Sequence, residues 1–182
     1  MTDSIRPFYA DWAGYNRRTV EAIATLSPAD LALEMPGSDH WPIWALLAHT
    51  AGTRVYWLCH VFGEPGAETT PFNDPSGMGW EDDLAAPRSA AELVHAFESS
   101  WRIVAGCLDR WTPAMLGDTF RREGSAGTQV HTRQSILLRM INHDAYHLGE
   151  VNLILGANGR EMIDPWPTAD WLESAPVARR EG

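Results

Sequence analysis

Two histidines four residues apart, His143 and His147 in the run His143-Asp144-Ala145-Tyr146-His147, carry the strongest chemical signal in the chain. On a helix that spacing projects both rings from one face, about 6 Å apart along the axis, so both can reach one metal ion. An imidazole on an apolar face brings polar nitrogens that need partners, and a shared metal satisfies one nitrogen of each ring. His49 joins the pair. It falls in the middle of another helical stretch, on its apolar face, with Leu46 one turn before it and Thr53 one turn after. We read His49, His143 and His147 as the ligands of one divalent metal ion. Three neutral imidazoles with positions left for water suit zinc, nickel, iron or manganese, and the residue types do not choose among them.

Glu150 follows His147 by three residues and His143 by seven, on nearly the same face. It is the candidate catalytic residue, with three roles open: a fourth ligand, an acceptor for an imidazole N–H, or a general base. Asn142 and Asp144 point about 100° away from His143, and Asp144 reads as a surface or capping group. His60 lies eleven residues beyond His49, about 16 Å along one helix, too far to share the ion. His40, His95 and His131 read as ordinary.

Four long helical stretches must position these side chains. The first runs from about Pro7 to Leu26, with Phe8, Trp12, Tyr15, Thr19, Ala22 and Leu26 at three- and four-residue steps. Ser27 to Asp30 opens a short helix that Pro36-Gly37 ends. The second long stretch runs from Pro42 to Phe62, closed by Gly63 and Pro65. The third begins at a capping box, Ser89 to Glu92, and runs to Trp111. The fourth spans about Arg133 to Leu155, with Ile136, Met140, His143, His147, Val151 and Ile154 on its inner face and Gly156 as its stop.

Residues 63–88 form a long Gly- and Pro-rich connection around Trp80, a length usually reserved for functional or inserted segments. A short hairpin is expected around Gly124 to Gly127. The tail 161–182 reads as irregular, with Trp166 and Trp171 available to pack back on the body. The fold class is all-α, an up-and-down helical bundle or a relative of one. It is expected as one domain over residues 1–182 with a core at about 7–160.

The formal net charge of −10 makes nucleic acid and anionic membranes poor partners. Nine tryptophans argue for a sizeable core. Cys59 and Cys107, far apart in apolar helical stretches, read as buried free thiols. No signal peptide or membrane span is visible, so a cytoplasmic protein is expected.

Three segments carry a resemblance: FYADWAGYNRRTVEAIATL, WPIWALLAHTAGTRVYWL with His49, and NHDAYHLGEVNLILGANG with His143 and His147. In order and spacing they resemble the DinB/YfiT-like superfamily of four-helix proteins, over about Pro7 to Arg160. The resemblance implies an up-down-down-up four-helix bundle with a three-histidine divalent metal site and open water positions. It also implies a relation to transferases and isomerases that use a low-molecular-weight thiol cosubstrate such as mycothiol or bacillithiol. Glu150 stands where Gln is frequent in the family, and Leu148 where a basic residue is frequent.

The leading reading is a metal-dependent enzyme, a thiol-dependent S-transferase or isomerase acting on a small molecule, its site walled by aromatics such as Trp12, Trp44 and Tyr56. A non-catalytic metal- or ligand-binding bundle is the alternative. A zincin-like hydrolase, with Asp144 in place of the zincin Glu, is the third. The sequence leaves a homodimer open.

Overall fold

The computed structural model describes residues 4–37, 39–73, 81–124 and 127–166. Trp80, Trp171, Pro167 and Pro176 lie outside the described residues. The chain is predominantly helical. A 3-10 turn at Arg6–Tyr9 leads into α1 (Ala10–Ile23), followed by the short α2 (Pro28–Leu31). α3 (Ile43–Val55) runs on into π-helical turns at Tyr56–Val61. α4 (Ala90–Arg110) is followed by the antiparallel pair β1 (Thr119–Gly124) and β2 (Gly127–Thr132), and α5 (Arg133–Ala157) follows directly.

Helix starts follow local chemistry. Ser27, Ser89 and Thr132 each accept a bond from the backbone N–H three residues on, and each is answered by a side chain at that position. These reciprocal caps satisfy N–H groups that have no partner inside the helix. The expected capping box at Ser89 is therefore present, and the hairpin closes between Gly124 and Gly127.

α3 is the central element. Every residue from Ile43 to Val55 is buried except His49, which is half-buried. A helix that is apolar all round needs covering on several sides, and α3 packs against both α4 and α5, while α1 packs against α4. The core runs through Ile43, Leu47, Ala51 and Val55 of α3, Leu93, Phe97 and Val104 of α4, and Ile136, Met140 and Val151 of α5. Phe8, expected on the inner face of the first helix, is instead 77% exposed.

The buried stripe of α5 includes Ile136, Leu137, Met140, Asp144, Leu148, Val151, Ile154 and Leu155. Ile136, Met140, Val151 and Ile154 are buried as expected, whereas the sequence periodicity sets His143 and His147 at the centre of that face. The buried face is turned from the expected one by roughly 45°, so Asp144 points inward and the two histidines sit on the flank, half-buried.

Asp144 is accordingly a core residue, not a surface or capping group. Its carboxylate accepts bonds from Arg54 Nη2 at 2.7 Å, Arg54 Nε at 3.3 Å and Trp12 Nε1 at 2.9 Å, and Arg54 Nη1 also donates to Asn16. A buried carboxylate persists because a guanidinium fork neutralises it and fills its lone pairs. The network ties α1, α3 and α5 together beneath the histidines.

Among the described residues no helix is long and apolar enough to cross a membrane. Both cysteines are free; Cys107 is buried as expected, and Cys59 is partly accessible.

Candidate metal centre

His49 rises from the middle of α3 toward the flank of α5, where His143 and His147 stand one turn apart. The Nε2 atoms of His49 and His143 are 3.0 Å apart, and those of His143 and His147 are 3.2 Å apart. The three residues predicted from sequence are thus brought together, each half-buried, with their ring nitrogens close enough to share one ion.

The outward-facing nitrogens decide what the inward ones can do. His49 Nδ1 lies 2.8 Å from Asp82 Oδ1 and 3.4 Å from Glu81 Oε1. His147 Nδ1 lies 2.6 Å from Glu150 Oε2. An ionised carboxylate only accepts, so a neutral ring beside it carries its proton on Nδ1 and turns a bare Nε2 lone pair inward. His143 Nε2 stands between them, and a single proton on it could serve only one neighbour. A cation at the centre satisfies all three. Four-coordinate zinc with nitrogen ligands at 2.0–2.1 Å holds those nitrogens about 3.3–3.4 Å apart, close to the observed separations.

Protonation favours the same conclusion. Burial, then the neighbouring His147 and His49, pushes His143 down to about 3. His147 is also held below the usual histidine range, chiefly by burial, against the raising effect of Glu150. Both rings therefore stay neutral at physiological pH, the form that binds metals. The Nδ1 of His143 is buried with no hydrogen-bond partner among the described residues, so its ring is held by packing and by whatever its Nε2 engages.

Glu150 Oε1 lies 3.2 Å from His40 Nε2, so both oxygens of that carboxylate are engaged by histidines. Of its three expected roles, the geometry matches the acceptor for an imidazole N–H.

Glu81 and Asp82 were not legible as site residues. Glu81 is buried, accepts a bond from Thr53 Oγ1 at 2.8 Å, and is pushed up to about 7, first by burial and then by Asp82. Its approach needs Gly52, because a Cβ there would stand 2.6 Å from Glu81 Cγ and 2.9 Å from Phe72. The Gly one residue before Thr53 on a buried helix was the only sequence sign that another segment comes close.

A family model described as the DinB superfamily matches residues 14–151. The chain belongs to the DinB superfamily. The crystal structure of a DinB-like protein from Bacillus cereus ATCC 10987 is similar over 89% of this chain and 97% of that one, with 20% identity and a TM-score of 0.63. At that identity the likeness establishes a DinB-like fold. No curated protein matches the chain.

The remaining expectations for this DinB-superfamily site divide. Trp12 and Trp44 do not wall it: Trp12 lies against Asp144 and Trp101, and Trp44 is in the core. Tyr56 stands further along α3, bonded to Arg122 of β1. Trp41 does pack edge-on against His49, at 5.6 Å between ring centroids. A cleft of about 430 Å³ lies on the opposite side of α5 between Trp12, Tyr15, Ile141, Leu148 and Trp166. Trp166 meets Tyr15 there, so this part of the tail does pack back on the body.

Proposed function

We propose that this chain is a divalent-metal-dependent enzyme that transfers or rearranges groups on a small molecule with a thiol cosubstrate. The convergence of three imidazole Nε2 atoms carries this reading. His49, His143 and His147 would hold the ion, and their side-chain count leaves coordination positions for a thiol or water. A bound divalent ion would supply Lewis acidity and lower the pKa of a thiol or water beside it.

The protein's own residues have distinct tasks. Asp82 and Glu150 hold the Nδ1 protons of His49 and His147, which aims both Nε2 lone pairs inward. Thr53 fixes Glu81 with its hydroxyl, 3.5 Å from His143 Nε2. Glu81 is the carboxylate best placed to accept the proton of an incoming thiol, taking the base role first given to Glu150. We take the helices as one domain in the up-down-down-up bundle order, acting in the cytoplasm on a small molecule, with a homodimer as an open assembly.

The zincin-like reading has no support in the geometry. Asp144 would have to reach water at the metal, and its carboxylate is instead locked under Arg54 and Trp12. Metal analysis of purified wild type beside His49→Ala, His143→Ala and His147→Ala tests the site. Near-stoichiometric metal in wild type and a large loss in every variant are expected; unchanged metal in His49→Ala would remove the two-helix site. Turnover of a panel of low-molecular-weight thiols with 1-chloro-2,4-dinitrobenzene tests the reaction. Metal bound without any turnover would favour the non-catalytic bundle.

A further inference from the structure

One cluster outside the histidine triad has chemistry of its own. Two arginines from different elements gather on a single tryptophan. The guanidinium carbon of Arg139, on α5, is 4.9 Å from the centroid of Trp57, and that of Arg122, on β1, is 5.6 Å from it. His131, on β2, packs edge-on against the same ring at 4.8 Å. Arg122 also donates to Tyr56 Oη and to Gln129 Oε1, the latter at 3.1 Å.

Asp and Glu outnumber Arg by 24 to 14, and Arg54, Arg110 and Arg133 each pair with a carboxylate. Neither Arg122 nor Arg139 has a carboxylate partner among the described residues. Glu123, the nearest acid in sequence, is bonded to Thr128 on the hairpin. Stacking on an indole uses the face of a guanidinium and not its N–H groups; on Arg122, Nε and Nη1 are engaged by Tyr56 and Gln129, which leaves Nη2 for a ligand. Two like charges held within about 6 Å of one indole centroid favour a bound anion between or beside them. Burial, then Arg139 and Arg122, holds His131 below its ordinary range, which registers the same unbalanced field.

The cluster also has a defined place relative to the triad. Arg139 precedes His143 by four residues on α5, about 6 Å along the axis. Trp57 follows His49 by eight residues, about 12 Å. We propose that Arg122 and Arg139, floored by Trp57 and flanked by His131, form a binding site for the oxyanion of a small molecule. The molecule's metal-directed atom would then stand about 6–12 Å away, at the histidines. That second half rests on the proposed metal-dependent function; the oxyanion site does not. A carboxylate and a phosphate monoester can both accept from two guanidinium groups, and the experiment separates them.

The test uses the full chain, with Arg122→Gln and Arg139→Gln confirmed as folded by circular dichroism. Metal-free protein is titrated calorimetrically with hexanoate, hexyl phosphate and hexanol. Binding of one anion but not of hexanol, weakened about tenfold or more in both variants, is expected and identifies which oxyanion is preferred. Equal binding in wild type and variants, or none, overturns the site whatever the metal does. Metal-loaded protein is then titrated with 6-mercaptohexanoate and 6-mercaptohexanol. An advantage for the charged thiol that both variants abolish, with the neutral thiol unchanged, supports the link to the triad. Arginine-dependent binding of the simple anion without that advantage refutes the link alone.

Discussion

The carboxylate of Asp82 stands 2.8 Å from Nδ1 of His49, thirty-three residues earlier in the chain. The pair joins the long connection after α3 to the centre of α3 itself. It also settles the tautomer of His49, because a carboxylate takes the Nδ1 proton and leaves Nε2 bare for a ligand. Glu150 does the same for His147. Removing such an acceptor usually lowers metal affinity 10–100-fold. Asp82→Asn and Glu150→Gln are expected to weaken binding by that order while keeping the three histidines, measured by competition with a chromogenic chelator.

Gly52→Ala tests the same junction from the other side. The added methyl would meet Glu81 and Phe72 at 2.6–2.9 Å, so the segment carrying Glu81 and Asp82 must lift. Such overpacking costs about 1–3 kcal/mol. A lowered thermal midpoint together with weaker metal binding is expected, although no ligand is touched. Unchanged metal affinity would show that the loop carboxylates do not support His49.

The Arg54–Asp144 pair is nearly inaccessible, with side chains 1% and 3% exposed. Arg54→Met strands a buried carboxylate and is expected to cost about 3–5 kcal/mol in urea unfolding. The double variant Arg54→Met with Asp144→Leu should recover much of that loss, since it removes both charges.

Acid sensitivity of the metal-free protein has two opposing parts. His143 is pushed down to about 3 against an ordinary value of 6.5. Between those values the unfolded chain binds a proton that the folded chain refuses, so stability falls as pH drops through that window. Glu81, pushed up to about 7 from 4.5, binds its proton first in the folded state, so stability rises as pH falls from 7 to 4.5. In chelator-treated protein, His143→Asn should flatten the acid loss, and Glu81→Gln should steepen it between 4.5 and 6.5. Urea midpoints measured across the window check both.

Burial pushes the Cys59 thiol up to about 11 and raises Cys107 as well. Thiolate is the reactive form, so neither cysteine supplies a nucleophile of its own at neutral pH. Native protein should react slowly with 5,5′-dithiobis(2-nitrobenzoate), and denatured protein should release two thiols per chain.

What the sequence determined by itself was local and periodic. The spacing His143-x-x-x-His147 needs only helix geometry to put two rings on one face, and the capping residue Ser89 needs only the backbone three residues ahead. The same periodicity placed the inner face of α5 roughly 45° off in rotation. Apolar counts along the helix cannot tell a histidine at the edge of a face from an aspartate at its centre once that aspartate has a guanidinium partner. The partner, Arg54, is ninety residues away. Only the tertiary structure decided that His49 meets the pair, that Glu81 and Asp82 come down on Gly52 to orient it, and that Arg122 and Arg139 each reach Trp57. Each of these depends on two distant segments arriving at one point, and a polar side chain takes its chemical character from the partner it meets there.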